Sequence, residues 1–455
     1  MQINLNDKIA VLGFGIEGKD VAQFLQKKGY LDITVLDRKE KSELDLSGID
    51  VSKLKFTTGA DYLNGDLGVY KIIFRSPGVY RYLPEIVKAE KEGSKISSNI
   101  KLFFDEFRGL TIGVTGTKGK GTTSTLIYEI LRKSFKNIYL AGNIGSPPLS
   151  ILDKTNDKSV AVLELSSFQL IDLEKSPDIA VILNITSDHM DWHKDRQEYI
   201  EAKENIVKHQ ERSNFKIINY DYETSRLFKS FSPSRNVFFS KQNKVEGVYV
   251  LDGKIYSNIS GNEVVIGDTG KLLLRGVHNW ENLCAAICAA QIAGASISNI
   301  KKAVFSFKGL EHRLELVKDV KGIKFYNDSF STNPQTTIAA VDSFSEEITL
   351  ILGGYDKGLD FEDMIKHLCK TKNLKNIVLI GDVEEKLYSL LLKHVFSNLI
   401  VKMGKSDISD IVNKCYELSK KSGVVLLSPA CASFDMFKNY KERGNQFKNA
   451  VNDLF

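Results

Sequence analysis

Short apolar runs alternate along the chain with longer segments that mix apolar and charged residues. These runs include IAVL at residues 9–12, VAVLEL at 160–165, IAVILNI at 179–185 and GVVLL at 423–427. Between them, segments such as residues 16–29 place Val21, Phe24 and Leu25 on one face at helical spacing. Continuous apolar strands separated by amphipathic helices are typical of parallel sheets covered on both faces. The pattern therefore predicts an α/β fold with mainly parallel sheets.

The alternation divides into three α/β units, and we predict one domain for each. The predicted domains span residues 1–108, 109–308 and 309–455. Each is expected to be built on a mainly parallel sheet, Rossmann-like in the first and third domains and like a P-loop ATPase in the central one. The hairpin-like segment VFFSKQNKVEGVYVLDGKIYSN is assigned to the central domain.

The first strand leads into a glycine-rich turn, GFGIEG at residues 13–18. The three glycines have the GxGxxG spacing, and Asp37 ends the second predicted strand about twenty residues later. This combination is typical of dinucleotide-binding folds. Taken alone, it suggests a NAD-dependent dehydrogenase.

A second glycine-rich segment, TGTKGKGTT at residues 115–123, lies between an apolar strand and a helix. Backbone N–H groups at such a junction bind phosphates, and Lys120 is the leading candidate for neutralising them. Gly121 stands where a serine or threonine normally holds Mg²⁺. Thr122 and Thr123 offer hydroxyl groups in its place. A nucleotide site is favoured, and the loop alone also fits a nucleotide-binding switch without catalysis.

Polar residues follow two other strands of the central unit. They are Glu164, Ser166 and Ser167 after the first strand and Thr186, Ser187, Asp188 and His189 after the second. The carboxyl ends of parallel strands meet at one edge of a sheet, so these side chains should face the same crevice as the glycine loop. Glu164 is either a Mg²⁺ ligand or the cap of the next helix.

Three further polar residues are candidates for chemistry in the local sequence. His189 is either a metal ligand or a structural histidine, and His193, four residues later, would allow a zinc pair if both lay on one helix face. No HExxH pattern is present. Lys203, in EAKENI, resembles a surface lysine paired with neighbouring glutamates.

Composition excludes several classes of protein. The 455 residues are 42% hydrophobic and 26% charged, with a net charge of +5. The segment MQINLNDKIAVLGFG has no basic stretch followed by an apolar run and a small-residue cleavage site, so we expect no signal peptide. The sequence contains no run of eighteen apolar residues and no basic cluster interleaved with aromatics. Five scattered cysteines without a CxxC pair favour buried free thiols over disulfides or zinc. We expect a cytoplasmic monomer that binds small molecules, with no nucleic-acid or membrane partner.

The chain also resembles the Mur ligases over nearly its whole length. The shared motifs, in order, are TGTKGKGTT, AGNIGSPPL, LELSSFQL, LNITSDHMDWH, EAKENI, GVHNWENLCAA, GLEHRLE, NDSFSTNP, LGGYDKG and SPACASFDMFKNYKERGNQF. The motifs are most similar to those of the branch that adds D-glutamate. The resemblance implies ATP-dependent amide formation, in which the carboxylate of UDP-N-acetylmuramoyl-L-alanine is phosphorylated and then attacked by the amine of D-glutamate. This reaction belongs to peptidoglycan precursor synthesis, and thus to cell-wall formation, cell shape and cell division.

The resemblance also implies roles for individual residues. Catalysis and two Mg²⁺ ions would involve Lys120, Glu164, His189 and a carbamylated Lys203, with Thr122 as a further metal ligand. ATP would contact Gly116, Thr117, Lys118, Gly119, Lys120, Gly121, Thr122, Thr123, Asn279, Arg313 and Asp328. The UDP-sugar would contact Ile16, Asp37, Arg38, Ser76, Gly78, Asn143, Ser166 and Gln169. The amino-acid pocket would contain Thr332, Lys357, Ser433 and Tyr440.

Two positions depart from the family pattern. One is Gly121, and the other is Phe330 in NDSFSTN, where the family motif NDSKATN has lysine. An apolar ring in place of that cation leaves a bound carboxylate to be balanced by Lys357 and by neutral donors. We therefore expect D-glutamate to be bound with weaker affinity or with relaxed choice. A sister Mur ligase with another acceptor amino acid is the nearest alternative.

Overall fold

A computed structural model describes residues 4–186, 188–259 and 261–454. Ser187, predicted above to face the crevice, lies outside these residues. The described residues form two compact units. The first contains the described part of residues 1–271 together with Trp280–Phe305, and the second contains Leu272–Asn279 and the described part of residues 306–455. Three sheets are present, all of them mostly parallel, which confirms the predicted α/β class.

The first sheet is parallel throughout. Its strands are β1 (Ile9–Leu12), β2 (Ile33–Asp37), β3 (Leu54–Thr58), β4 (Ile72–Arg75) and β5 (Lys95–Ser97), in the order β3-β2-β1-β4-β5. Its helices are α1 (Ile16–Lys27), α2 (Pro84–Lys91) and α3 (Asn99–Glu106). The N-cap of α3 is Ser98, whose side chain accepts a hydrogen bond from the Lys101 N–H. The strand order reverses at β1, so the GFGIEG turn lies at a switch point where α/β folds bind ligands.

The second sheet follows directly in the chain and has the order β14-β13-β12-β11-β10-β9-β6-β8-β7. Its strands are β6 (Leu110–Thr115), β7 (Ile138–Gly142), β8 (Val160–Glu164), β9 (Ile179–Ile182), β10 (Phe215–Asn219), β11 (Arg235–Ser240), β12 (Gly247–Leu251), β13 (Lys254–Ser257) and β14 (Val264–Asp268). Its helices are α4 (Lys120–Leu131), α5 (Ser167–Leu170), α6 (Arg196–Lys208), α7 (Glu223–Arg226), α8 (His278–Ile292) and α9 (Ile297–Ser306). The hairpin-like segment extends this sheet, because β12 pairs with β11 in parallel and with β13 in antiparallel orientation.

One apolar cluster contains residues of both of these sheets, among them Val11 and Ile72 of the first and Ala161 and Ile182 of the second. Both sheets also belong to the first unit. The division of this unit near residue 108 stays a prediction.

The third sheet lies in the second unit, in the order β15-β16-β20-β17-β18-β19. Its strands are β15 (Glu315–Val320), β16 (Ile323–Asn327), β17 (Ile348–Gly353), β18 (Leu374–Ile380), β19 (Leu399–Gly404) and β20 (Val424–Leu427). Its helices are α10 (Pro334–Val341), α11 (Glu362–Lys370), α12 (Glu384–Lys393), α13 (Ile408–Leu418) and α14 (Tyr440–Asn452). Only the β15–β16 pair is antiparallel. The five cysteines are all free thiols, as the sequence predicts.

Candidate active site

The glycine loop joins β6 to α4 in a conformation that requires glycine at two positions. Gly116 and Gly119 have φ angles of 157° and 89°. A Cβ atom on Gly119 would lie 2.1 Å from Asn282 Oδ1, and one on Gly116 would lie 2.7 Å from Leu183 Cβ. The chain therefore passes close to its neighbours and turns straight into α4, whose first N–H groups are typical anion donors.

Lys120 is the first residue of α4, and its side chain turns back over the loop. Its Nζ atom donates hydrogen bonds to the carbonyl oxygens of Gly116 at 3.0 Å and Thr117 at 3.2 Å. The ammonium group thus lies among the backbone groups that would surround a phosphate. A flexible cation at this place can neutralise phosphate oxygens.

Residues after β9 hold the loop in place. The Thr117 N–H donates to the Asn184 carbonyl at 2.7 Å, and the Lys118 N–H donates to Asn184 Oδ1 at 3.0 Å. The Thr117 hydroxyl accepts from the Thr186 N–H at 2.9 Å and lies 2.9 Å from the Tyr199 hydroxyl. Sequence reasoning missed Asn184 and Tyr199. Tyr199 could have been found, because it lies four residues before Lys203 on the same face of α6.

Lys203 is a buried residue of the site, so its interpretation as a surface lysine was wrong. It is 1% exposed, and its Nζ donates to Thr115 Oγ1 and the Gly116 carbonyl, both at 3.2 Å. Burial lowers the pKa of Lys203 well below its ordinary value, and the charge of Lys120 lowers it further. The negative charges of Asp188 and Glu164 raise the pKa of Lys203. The ammonium groups of Lys203 and Lys120 therefore share the Gly116 carbonyl as an acceptor beside the loop.

Glu164 ends β8 and has a carboxylate oxygen available for a cation. It is 4% exposed, and its Oε1 accepts from Asn143 Nδ2 at 2.9 Å. Its Oε2 is buried and has no hydrogen-bond partner in the described part of the chain. The alternative interpretation as a helix cap was wrong, since Ser166 caps α5 by accepting from the Gln169 N–H.

The two histidines do not form a zinc pair. They precede α6, and His189 has a φ angle of 56° and a side chain that is 47% exposed. His193 is buried, with Nδ1 3.0 Å from Glu198 Oε1 and Nε2 2.8 Å from Ser167 Oγ, and burial lowers its pKa. His193 is thus a satisfied structural histidine. Among the residues described, no group of three or more His, Cys, Asp or Glu side chains could hold a metal.

These donors fit Mg²⁺ better than zinc. Mg²⁺ prefers oxygen ligands, keeps several water molecules and is commonly held by one or two carboxylates together with phosphate oxygens. The unpartnered oxygen of Glu164 and the hydroxyl of Thr122 are ligands of this kind, and Thr122 is in the first turn of α4. A cluster of three protein side chains is not needed for such a site.

Because Gly121 has no hydroxyl group, Thr122 and Thr123 are the candidates for the predicted metal role. Thr123 Oγ1 lies 3.3 Å from Asn282 Oδ1 and is thereby engaged, so Thr122 remains the better candidate. We expect Thr122→Ala to raise the Mg²⁺ concentration for half-maximal phosphate release on the order of tenfold. Thr125→Ala, on the same helix, is the control and should leave it unchanged. Gly121→Ser should be tolerated. If Thr122→Ala and wild type needed the same Mg²⁺ concentration for half-maximal phosphate release, the metal would be held by Glu164, phosphate and water instead.

The GFGIEG turn is tied to the strands on either side. Gly13 has a φ angle of 87°, and its carbonyl accepts from Ser76 Oγ at 2.6 Å. Asp37 accepts backbone N–H groups of Phe14 at 2.6 Å and Lys39 at 2.8 Å. Ile16 is exposed at the start of α1. The turn therefore presents its backbone and Ile16 at the switch point.

Gln169 and Glu17 join the turn to α5. Gln169 Nε2 donates to Glu17 Oε1 at 2.6 Å, and burial raises the pKa of Glu17 to about 7. Sequence reasoning missed Glu17, although it lies inside the GxGxxG pattern. Arg38 and Gly78, which were also predicted to contact the UDP-sugar, have open surroundings. Arg38 is exposed, and a Cβ atom on Gly78 would meet nothing within 4 Å.

The second unit contains the remaining predicted residues. Asp328 is buried, accepts from Ser428 Oγ at 2.8 Å and the Leu314 N–H at 3.1 Å, and has its pKa raised by burial to about 6. Ser433 is buried, Thr332 and Tyr440 are half-buried, and the Nζ of Lys357 lies 5.3 Å from the Phe434 ring centroid. Asn279 Nδ2 donates to the Arg275 carbonyl at 2.6 Å.

Arg443 joins the two loops that carry most of these residues. Its Nε donates to Ser329 Oγ at 2.9 Å, and its other nitrogens donate to the carbonyl oxygens of Ser329, Cys431 and Ala432. The side chain is 1% exposed, and burial lowers its pKa to about 10. Sequence reasoning assigned no role to Arg443, although it lies in the RG pair of the last motif.

The chain is similar to known proteins over nearly its whole length. The Mur ligase middle domain matches residues 114–290, and the Mur ligase glutamate ligase domain matches residues 312–431. A UDP-N-acetylmuramoylalanine–D-glutamate ligase of Acetivibrio thermocellus is 38% identical over 99% of this chain and 97% of its own length. The enzyme of that name from Symbiobacterium thermophilum is 36% identical over 99% of both chains.

Solved structures with a similar fold cover the same length. A UDP-N-acetylmuramate–alanine ligase of Thermotoga maritima has a TM-score of 0.60 at 18% identity, covering 98% of this chain and 99% of its own. A MurF ligase of the same organism in complex with ADP has a TM-score of 0.56 at 18% identity, covering 99% of both chains. These similarities support the three-sheet α/β fold.

Proposed function

This chain belongs to the Mur ligase family, and we propose that it is the ATP-dependent ligase that adds D-glutamate to UDP-N-acetylmuramoyl-L-alanine in peptidoglycan precursor synthesis. The observation that carries the proposal is the glycine loop, where the Nζ atoms of Lys120 and Lys203 both donate to the Gly116 carbonyl. On the neighbouring strand β8, the buried Oε2 of Glu164 has no hydrogen-bond partner in the described residues. A dehydrogenase would need none of these residues. The choice of D-glutamate is supported by the full-length relatives described above.

The reaction has two steps. A carboxylate oxygen of the UDP-sugar substrate attacks the γ-phosphorus of ATP, ADP leaves, and an acyl phosphate forms. The amine nitrogen of D-glutamate then attacks the acyl carbon, phosphate leaves, and the nitrogen loses a proton. Because charge develops on phosphate oxygens in both steps, the loop N–H groups and the Lys120 ammonium stabilise the transition states. In this proposal the phosphate loop is completed by Gly116, Thr117, Lys118, Gly119, Gly121 and Thr123.

Two Mg²⁺ ions would be held by residues around the same loop. Glu164 and Thr122 would hold one ion, and His189 and Lys203 the other. When bound, Mg²⁺ neutralises phosphate oxygens and orients them for transfer. Lys203 can act as a ligand only after carbamylation, which converts its amine into a carboxylate-like group.

The substrates would bind at the other predicted residues. We infer that Asn279, Arg313 and Asp328 contact the nucleotide, and that Thr332, Lys357, Ser433 and Tyr440 form the amino-acid pocket. The UDP-sugar would contact Ile16, Asp37, Arg38, Ser76, Gly78, Asn143, Ser166 and Gln169. The GxGxxG turn would thus bind uridine diphosphate instead of NAD. A cytoplasmic location and a monomeric state stay predictions; no helix in the described residues is long and apolar enough to cross a membrane.

An amino-acid panel tests this function directly. We expect phosphate release only when ATP, UDP-N-acetylmuramoyl-L-alanine and D-glutamate are all present, with D-glutamate preferred over L-alanine, diamino acids and dipeptides. UDP-N-acetylmuramate without alanine is the matched control donor. A clear preference for a neutral or basic acceptor would identify a sister ligase. Phosphate release from ATP alone, with neither UDP-N-acetylmuramoyl-L-alanine nor D-glutamate present, would contradict the ligase proposal and favour a nucleotide-binding switch.

A further inference from the structure

Phe330 forms a flat support for an arginine that is predicted to contact the nucleotide. The Cζ atom of Arg313 lies 3.8 Å from the centroid of the Phe330 ring. The Tyr440 ring meets that of Phe330 edge to face, with centroids 5.1 Å apart and an interplanar angle of 89°. A guanidinium at this distance from a ring is attracted to its π face. Phe330 is 37% exposed, so the pair is only partly screened by solvent.

The backbone keeps the ring and the arginine together. The Phe330 N–H donates to the His312 carbonyl at 3.0 Å, and the Leu314 N–H donates to Asp328 Oδ1 at 3.1 Å. His312 and Leu314, on either side of Arg313, have φ angles of 62° and 47°. Left-handed backbone is unfavourable for such residues and persists where surrounding contacts maintain it, often at functional sites. Arg313 is therefore presented by a strained turn that is bound to the Phe330 segment.

We propose that Phe330 is a positioning residue that holds the Arg313 guanidinium in the orientation in which it binds the nucleotide. The inference rests on the proposed function, which places Arg313 at the nucleotide. A lysine at this position, as in the family motif, would add a second cation beside Arg313 and offers no flat surface. The departure at Phe330 thus affects nucleotide binding, in addition to any effect on the acceptor.

Calorimetric titration of the full-length protein with a non-hydrolysable ATP analogue tests this role. Phe330→Leu, which keeps an apolar side chain without a ring, is expected to raise the Kd about three- to tenfold. Phe330→Tyr keeps the ring and should restore the wild-type Kd. Phe330→Lys should weaken binding at least as much as Phe330→Leu. In phosphate-release assays Phe330→Leu should raise the KM for ATP and leave the KM for D-glutamate unchanged.

A double-mutant cycle with Arg313→Ala separates positioning from general destabilisation. Once Arg313 is absent, Phe330→Leu should have no further effect on the Kd. The proposal is overturned if Phe330→Leu raises the Kd equally with and without Arg313, or if it raises the Kd in neither background. An unchanged Kd for Arg313→Ala alone overturns it as well. Failure of the proposed ligase function gives a different result. Phosphate release would then not require D-glutamate, while the double-mutant cycle would still show coupling between positions 313 and 330.

Discussion

Lys120→Ala is expected to reduce the rate of phosphate release by about 10²-fold or more, the usual effect of removing a preorganised group that stabilises transition-state charge. Lys120 Nζ contacts the carbonyl oxygens of Gly116 and Thr117 inside the loop, where a phosphate would bind. Alanine has high helix propensity at this first position of α4, so the fold should be retained. Steady-state phosphate release and thermal unfolding measure the two effects.

Lys133→Ala is the matched control, since Lys133 is an exposed lysine just beyond the other end of α4. It should leave both the rate and the Tm unchanged. If Lys120→Ala turned over within a few-fold of wild type, Lys120 would be a solvated loop lysine, and charge neutralisation would have to be assigned elsewhere.

Carbamylation of Lys203 is expected to be required for activity. Burial lowers the pKa of Lys203 well below its ordinary value and so favours the neutral amine, which can attack the carbon of CO₂ and release a proton. Intact-protein and peptide mass analysis in bicarbonate buffer should show an added CO₂ at Lys203. Lys203→Ala should be inactive and partly restored by formate or acetate, which replace the missing carboxylate.

Lys216 is the matched control for this experiment. It is equally buried and burial lowers its pKa, but its Nζ donates to two carbonyl oxygens, of Lys229 at 2.9 Å and Ser232 at 2.7 Å. It should carry no CO₂, and a small carboxylate should not improve Lys216→Ala. Unmodified Lys203 together with full activity in CO₂-depleted buffer would exclude the carbamate role.

Local sequence was sufficient to locate the glycine loop and the acidic residue opposite it. The loop could be located because an apolar run precedes it and a helical segment with Leu126, Ile130 and Leu131 follows it, and these signals extend over fewer than about fifteen residues. Glu164 could be predicted in the same way, because its place at the end of an apolar strand fixes its position in a parallel sheet. The Mg²⁺ interpretation of Glu164 then depended on knowing that Oε2 has no partner in the described structure.

The burial of Lys203 could not be derived from its neighbours. Its segment EAKENI has glutamates on both sides, which is typical of a solvent-exposed helix face. Thr115 and Gly116, the residues that accept its hydrogen bonds, precede it by 88 and 87 residues. Only packing of α6 against the loop reveals this contact. The same holds for Arg443, whose partner Ser329 is 114 residues away.

The sequence by itself determined the α/β class, the alternation of strands and helices, the glycine turns and the family, because each depends on periodicity or on motifs within short segments. The tertiary structure decided which charged side chains come together and on what: Lys203 and Lys120 at the Gly116 carbonyl, and Arg313 on the ring of Phe330. The physical reason is that a pKa shift or a cation–π contact depends on distance through space. Two residues far apart in the chain acquire that distance only when the sheets and helices between them have packed.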